Sequence, residues 1–404
     1  MSNNTSKNTS RNTSRNNNNC IFFMEKSLQD HKQEHKQEHK QQERRKQDHK
    51  KSTFFTSNEI YMSNQIIQKT KIQNISYKQH FSPILSHESL ILSEFDDDLL
   101  TTKYNINNMN RLKSDITNNT ILLTSIKYQS FNQLFYNNQY QMQPKMQSYK
   151  KTTQLIITSY LYLLSTLQLM NDNNIIHANI NEDAIVFNQT NQPLLSNFFL
   201  SFDSQKINEE RKSNLFQISL QKLEQTNQIP SFQLFVIYYL NDSINKNKSS
   251  LSYTNIESIC TLFINNYIIP LNILSLHQIE EYKKDCIISL NIYINKSKQD
   301  IIDEIIHKTA LSCWDNYSLS LLYLKLLNTI FLSSNIINKN DNKNDNKNNN
   351  NSFINEFIQL LIINMNPNQQ LTITQTKDRF YDILFNTEFD TFTHLLSIYP
   401  HQHP

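Results

Sequence analysis

The apolar positions of the chain fall into two stretches with different periodicities. Between residues 54 and 139, one short helical pattern, NEIYMSNQIIQ, is followed by runs typical of β-strands, SPILSHESLILSEF and TILLTSIKY. From residue 150 onward the spacing becomes helical, and its first part predicts a buried amphipathic helix that ends near Met170. A small β-rich half followed by a larger helical half indicates an α+β protein.

A hairpin and further helices are predicted after this long helix. Two short strands, Ala184–Phe187 and Pro193–Leu195, flank a polar NQTNQ turn. Helical spacing then recurs over residues 232–240, 255–265, 318–332, 353–365 and 374–385, with one more helix predicted near 300–307.

Polar low-complexity stretches interrupt this pattern. Residues 1–19 are Asn, Ser and Thr repeats, residues 31–51 are a charged repeat (HKQEHKQEHKQQERRKQDHKK), and residues 337–352 are rich in Asn. Such compositions bury too little apolar surface to offset the entropy of ordering. We therefore predict a disordered N-terminus over 1–53, a disordered loop over 337–352 and a tail over 391–404.

Two polar clusters in the N-terminal quarter of the chain could bind metal ions. His31, His35 and His39 would share one helix face, where they could hold a divalent ion. The triplet Asp96 to Asp98 could bind a cation. A solvated charged helix or coil and a solvated turn, respectively, are the simpler interpretations.

Composition excludes several classes of function. The chain has 404 residues and no glycine, whereas average usage is about 7%. P-loops and G-x-G-x-x-G turns need a residue without Cβ, so neither can exist here in standard form. A net charge of +3 gives no global field that favours nucleic acid. The four cysteines are scattered without C-x-x-C spacing, and the N-terminus is polar. We expect an intracellular, cytoplasmic protein without a disulfide framework, signal peptide or membrane span.

Four degenerate motifs in a fixed order resemble the eukaryotic protein kinase family. The sequence IIHAN resembles the H-R-D catalytic loop, and NFF, after the hairpin, resembles D-F-G. Asn179 and Asn197 lie 18 residues apart, as the two aspartates of the family do. The sequence WDNYSLS resembles the start of the family's central buried helix, and NPNQQLT resembles its closing signature. The chain looks like the divergent kinase-like proteins of large DNA viruses or some protists, and a viral source would place it in the host-cell cytoplasm or the virion.

The resemblance implies a bilobal protein-kinase-like fold of the α+β class. Its reduced, β-rich N-lobe would span residues 54–149, and its mainly helical C-lobe residues 150–390. The C-lobe would carry an insert at about 241–312, since the family places far fewer residues between the sites occupied here by Pro230 and Asp315. This insert is a candidate partner-binding surface.

The same resemblance places unsuitable residues at the catalytic positions. Phosphoryl transfer needs positioned metal ions and a carboxylate that accepts the substrate proton. Here the proton acceptor would be Asn179, and the two metal-ligand positions hold Ala184 and Asn197. An amide cannot take up that proton at neutral pH and is a poor Mg²⁺ ligand.

Further catalytic-loop positions are replaced as well. Ala178 stands for the Arg of H-R-D, Asn181 for the catalytic-loop lysine and Phe199 for the Gly of D-F-G. A buried ion pair of the family has lost both partners, because its sites read Ile229-Pro230-Ser231 and Gln369-Gln370. The architectural positions remain: Glu59 on the small-lobe helix, His177, Phe198, Trp314 and Asp315.

These replacements predict a catalytically inactive kinase-like protein, a pseudokinase. It would bind neither ATP nor Mg²⁺ well, and it would act on a protein partner, such as an active kinase or its substrate, as a scaffold or regulator. One alternative is a residual serine/threonine kinase in which Asp183 or Asp203 acts as base or metal ligand. Another is a decaying kinase paralogue without a selected function.

Overall fold

The computed structural model describes residues 20–24, 38–90, 120–126, 128–137, 146–215, 229–241, 251–332 and 352–386. The protein is mostly helical with a few small sheets, so the α+β class is as expected. The chain divides into two compact units, one of residues 1–26 and 85–127 and the other of residues 27–84 and 128–404. This division differs from the predicted boundary at residue 149.

The smaller unit contains one antiparallel sheet. Strands β1 (Cys20–Met24) and β2 (Ser86–Leu90) both pair with the middle strand β3 (Thr120–Ile126). Cys20 lies opposite Ile126, and Ser86 lies opposite Thr124. Strand β2 lies within the predicted run SPILSHESLILSEF, whose first four residues are described and are not strand, and β3 lies within the run TILLTSIKY.

Helix α1 (Glu38–Ile72) is much longer than predicted. The helical pattern NEIYMSNQIIQ is only its second half, and its first half lies in the segment predicted to be disordered. The charged repeat is rich in Glu, Lys, Gln and Arg, which have high helix propensity, so the helix continues through it. Strand β1 also lies within the predicted disordered segment. A charged helix was one of the two interpretations left open for residues 31–51, and disorder outside these two elements stays a prediction.

The larger unit holds the remaining short strands. Strands β4 (Gln129–Ser130), β6 (Ile185–Phe187) and β7 (Pro193–Leu195) form a sheet in the order β4-β6-β7. Strands β5 (Ile175–Ile176) and β8 (Phe202–Asp203) pair separately. The predicted hairpin is confirmed, with Val186 opposite Leu194.

Eight further helices follow α1 among the described residues of the larger unit, and all of them except α5 lie close to the predicted ranges. They are α2 (Met146–Asp172), α3 (Phe232–Asn241), α4 (Tyr253–Phe263), α5 (Leu276–Asn291), α6 (Lys298–Ile305), α7 (Asp315–Leu327), α8 (Ser352–Met365) and α9 (Ile373–Asn386). The core gathers around α2 and α7, where Tyr160 and Tyr323 lie 4.9 Å apart between ring centroids. Both rings are fully buried, so these two helices form the centre on which the 175–203 region is built.

Helix α5, within the predicted insert, was not expected from the sequence. A capping box nevertheless marks its start, because Ser275 accepts from the backbone of Gln278 and the Gln278 side chain accepts from the backbone of Ser275. Its buried residues Tyr282, Cys286 and Leu290 recur every fourth position. This polar helix therefore had both a start signal and a narrow apolar stripe.

Asparagine occupies most of the left-handed backbone positions of the described residues. Positive φ is found at Asn74, Asn174, Asn191, Asn197, Asn272, Asn295 and Ala178. Asn tolerates this region better than other residues with a Cβ, because its short polar side chain can bond locally. A chain without glycine thus builds its tight turns with asparagine.

Several predictions fall outside the described residues. These are the loop over 337–351, the tail over 391–404, the histidines at 31 and 35, and the triplet Asp96 to Asp98. In the described part of the chain, no helix combines the length and apolar character that crossing a membrane requires.

Candidate functional site

The loop between β5 and β6 is anchored by a buried carboxylate. We call residues 177–184 the central loop. Asp315, the first residue of α7, accepts the backbone N–H of His177 on Oδ2 at 2.7 Å and that of Ala178 on Oδ1 at 2.8 Å. Ala178 has φ of 58°, a left-handed conformation that costs an alanine about 1–2 kcal/mol. The two charge-assisted bonds hold the loop in this strained turn.

His177 fastens the central loop to the chain after the hairpin. Its ring is fully buried, and its Nε2 lies 2.8 Å from the carbonyl oxygen of Ser196. The ring packs edge-on against Phe198, with centroids 5.2 Å apart. Ser201 donates from Oγ to the His177 carbonyl. These contacts make His177 an architectural residue.

Burial shifts the two titratable groups of this anchor in opposite directions. Burial lowers the pKa of His177 to about 4, and the bond to the Ser196 carbonyl partly offsets that shift. Burial raises the pKa of Asp315 to about 6, against the effect of the two backbone N–H bonds.

The contributions of His177 and Asp315 to the pH dependence of stability should therefore nearly cancel one another in the wild-type protein between about pH 4 and 6. As the pH falls from the unfolded value of 6.5 to about 4, the unfolded chain binds a proton at His177 that the folded chain refuses, so stability is lost. Over the same window the folded chain binds a proton at Asp315 that the unfolded chain refuses, because the unfolded value is 3.8, so stability is gained. We expect His177→Gln to become more stable relative to the wild type as the pH falls from 6 to 4, and Asp315→Asn to become less stable.

The slopes are measured by urea unfolding at pH 4, 5 and 6. A single unmasked group changes stability by at most about 1.4 kcal/mol per pH unit. The slope of each variant is taken from its own stabilities at the three pH values, so a constant loss of stability caused by the substitution does not affect the slope. Slopes of both variants that equal the wild-type slope would contradict this assignment.

The central loop uses its asparagine amides as internal donors and acceptors. Oδ1 of Asn181 accepts the backbone N–H of Asp183 at 2.8 Å and of Ala184 at 3.1 Å, and Nδ2 of Asn181 donates to Oδ1 of Asn179 at 3.3 Å. Nδ2 of Asn197 donates to the Asp183 carbonyl at 2.6 Å. A carboxylate at position 197 has no N–H to donate to that carbonyl.

Helix α1 is tied to the segment Asn197–Phe199 by a residue that the sequence analysis missed. Nδ2 of Asn58 donates to the carbonyl oxygens of Phe199 and Ser201, both at 2.8 Å. The rings of Phe55 and Phe199 meet edge to face at 5.4 Å. Asn58 is buried beside Glu59, which the resemblance singled out and which is 6% exposed. The sequence did contain one signal for Asn58, because it is a polar residue on the apolar face of the predicted helix.

Asp203 lies in an ion pair at the other end of this segment. Its Oδ2 accepts from Nζ of Lys69 on α1 at 2.8 Å, and its Oδ1 accepts from the backbone of Gln205 at 3.0 Å. The side chain of Asp203 is 2% exposed, and Lys69 also donates to the carbonyl of Asn173. The carboxylate proposed as a metal ligand is therefore already paired with an ammonium group.

Asp183 and Glu182, by contrast, lie towards the surface of the central loop. Asp183 is exposed, whereas Glu182 is half-buried and close enough to Tyr136 for its charge to matter. Burial, with a smaller contribution from Glu182, raises the pKa of Tyr136 to about 12. Ala184 is fully buried and offers no ligand atom. Among described residues, no group of three or more His, Cys, Asp or Glu side chains has the arrangement of a metal site.

A pair of neutral amides joins α3 to the turn between α8 and α9. Nε2 of Gln233 donates to Oε1 of Gln370 at 3.0 Å. Near here the sequence resemblance placed an ion pair of the kinase family, between the Ile229–Ser231 site and Gln369-Gln370. The sequence analysis identified Gln370 but missed Gln233, which directly follows Ser231 and Phe232.

The remaining aromatic positions of the resemblance are packed in the core. Trp314 is 1% exposed and donates from Nε1 to Oγ1 of Thr309 at 3.1 Å. Its ring meets Phe202 at 6.1 Å, and Phe198 meets Phe81 at 6.2 Å. The structure thus assembles the central loop, the segment after the hairpin and the start of α7 into one packed site.

Comparison with known proteins finds distant structural likenesses. No family model and no curated protein matches the sequence. A chain in the crystal structure of the yeast RNA Pol II CTD kinase CTDK-1 complex is 13% identical, with a TM-score of 0.30. The match covers 83% of this chain and 81% of that chain.

Proposed function

We propose that the chain is a kinase-like protein that does not transfer phosphate and acts by binding a protein partner. The order of elements supports a kinase-like site. The long helix α2 leads into the central loop, the β6-β7 hairpin follows, and Asp315 at the start of α7 holds the loop backbone. These are the parts that the sequence resemblance placed in this order.

One observation carries the proposal of inactivity. At position 197, where the resemblance puts a metal-binding aspartate, the side chain donates an N–H to the carbonyl of Asp183. At position 179, the expected proton acceptor is an amide whose oxygen accepts from Asn181. Both side chains therefore hold the loop together, and neither can act as a base at neutral pH.

Nucleotide binding has little support from this site. Phosphates are usually cradled by backbone N–H groups of a glycine-rich loop, and the chain has no glycine. The candidate metal ligand Asp203 is already neutralised by Lys69. We therefore propose that ATP and Mg²⁺ are not ligands of the protein.

A thermal-unfolding titration of the full chain with ATP, with and without Mg²⁺, tests this proposal. A ligand that binds only the folded protein stabilises it by RT ln(1 + [L]/Kd), about 2.7 kcal/mol at a hundredfold excess over Kd. We expect a cooperative transition whose midpoint does not move. A cooperative transition would also argue against a decaying paralogue that no longer folds.

The matched control is Asp183→Asn, which removes the exposed carboxylate of the central loop and leaves its backbone bonds possible. A midpoint that rises with ATP only when Mg²⁺ is present would refute the proposal. If the shift and phosphotransfer to a generic protein substrate both disappeared in Asp183→Asn, the residual kinase would take its place.

A further inference from the structure

A small cavity lies beside the central loop, on the side of α3 and α7. Its volume is about 150 Å³, and its walls come from the loop, from residues 229–230 and from the two helices. Pro230, Leu234 and Leu322 supply apolar surface. The cavity can therefore hold a group the size of one side chain, with apolar surface on one part of it.

Among the described residues, one cationic side chain lines this cavity, and none of them pairs with it as a counter-ion. Lys325, in the last turns of α7, is half-buried and is the cation among the described residues that line the cavity. Lys325 makes no ion pair with any described residue. Lys69 and Lys296, in contrast, pair with Asp203 and Glu304. An ammonium group at the wall of a pocket gains from a charge-assisted hydrogen bond to a bound acceptor.

A second donor points to the same ligand chemistry. Asn179 lines the cavity and is 6% exposed. Oδ1 of Asn181 accepts two backbone N–H groups, which fixes the orientation of the Asn181 amide and directs its Nδ2 towards Asn179. Asn179 accepts this Nδ2 with its Oδ1, so the Nδ2 of Asn179 points away from Asn181. The Nδ2 group of Asn179 has no acceptor among the described residues, so it is free to donate to a bound group.

Two carboxylates on the lining restrict the charge of the ligand. Glu182 and Asp183 both contribute to the cavity wall, and neither lies within 4 Å of Lys325. Asp183 is exposed, so water and salt screen it, and Glu182 lies near Tyr136. Their negative charge disfavours a phosphate dianion more strongly than a single carboxylate.

We propose that this cavity binds an aspartate or glutamate side chain of a protein partner. The carboxylate accepts from Nζ of Lys325 and Nδ2 of Asn179, and apolar neighbours in the partner pack on Pro230 and Leu322. This proposal deepens the proposed function, on which it rests, because it names the chemistry by which a non-catalytic loop recognises its partner.

The test measures fluorescence anisotropy of a labelled octapeptide of alternating leucine and glutamate with the full chain. A matched peptide carries glutamine in place of glutamate, so length and apolar content are unchanged. We expect the glutamate peptide to bind at least tenfold more tightly, a difference of about 1.4 kcal/mol. Lys325→Met keeps the apolar stem and should abolish this preference, and Lys325→Glu should reverse it in favour of a lysine peptide.

Equal binding of the glutamate and glutamine peptides, or no binding of either at millimolar concentration, would overturn the proposal. A preference for glutamate that survives in Lys325→Met would also overturn it. A phosphoserine peptide that binds more tightly than the glutamate peptide would refute the choice of a carboxylate. The comparison of the glutamate and glutamine peptides needs only the wild-type protein, so its result does not depend on whether the variants fold. A nucleotide shift that needs Mg²⁺ would refute the proposed function and leave the peptide result intact.

Discussion

Replacing Asp315 with alanine should destabilise the protein by about 3–6 kcal/mol, the largest effect of any single substitution in the site. Hydrogen bonds to a charged group contribute about 1.5–3 kcal/mol each, and Asp315 accepts two of them from buried backbone. Without the carboxylate, the N–H groups of His177 and Ala178 lose their partners while Ala178 stays in its left-handed turn. The loss would appear as a lower urea midpoint at pH 7.

Asp315→Asn is the matched control, since it keeps the volume and one carbonyl oxygen. It can satisfy one of the two N–H groups but turns its own amide nitrogen towards the other, so about half of the loss should remain. If the free energy of unfolding of the alanine variant were within about 1 kcal/mol of the wild-type value, the carboxylate would not be the anchor of the central loop.

Replacing Lys69 with methionine should cost about 3–5 kcal/mol, because it leaves the buried carboxylate of Asp203 with only the exposed Lys206, 4.0 Å away, as a counter-charge. The Asp203 side chain is 2% exposed, so water cannot take the place of the ammonium. Unfolding by urea at pH 7 measures the loss. The double variant Lys69→Met with Asp203→Asn should recover part of it, since both charges are then gone.

Lys206 provides the internal control for this second effect. Its ammonium lies 4.0 Å from the same carboxylate, but its side chain is 59% exposed. Exposed ion pairs contribute about 0–1 kcal/mol, so Lys206→Met should change stability little. Equal losses in the two lysine variants would show that Asp203 is stabilised by general charge rather than by the contact with α1.

Local patterns predicted the elements of the site but not the contacts between distant parts of the chain. The β6-β7 hairpin follows from two short apolar runs around a polar turn, and the position of Asp315 follows from the motif at the start of α7. Asn58 and Lys69 were missed because their partners, Phe199 and Asp203, lie 141 and 134 residues away. No local spacing encodes such pairs.

The length of α1 shows a different limit of the sequence analysis. Low complexity was interpreted as disorder, yet the same Glu, Lys and Gln residues are good helix formers. Composition alone did not decide between the two states. The apolar second half of the helix, where Met62 and Ile66 are buried, anchors it to the larger unit and gives the charged half a helix to extend.

The use of asparagine at the left-handed turns has a consequence for the chemical lifetime of the protein. Asparagine side chains deamidate when the next backbone nitrogen attacks the side-chain carbonyl to form a succinimide, and a following glycine makes that ring closure easiest. Here the residues after the turn asparagines are bulky: Ile75, Ile175, Gln192, Phe198, Ile273 and Lys296. Because the chain has no glycine, none of its turn asparagines is followed by the residue that most accelerates deamidation.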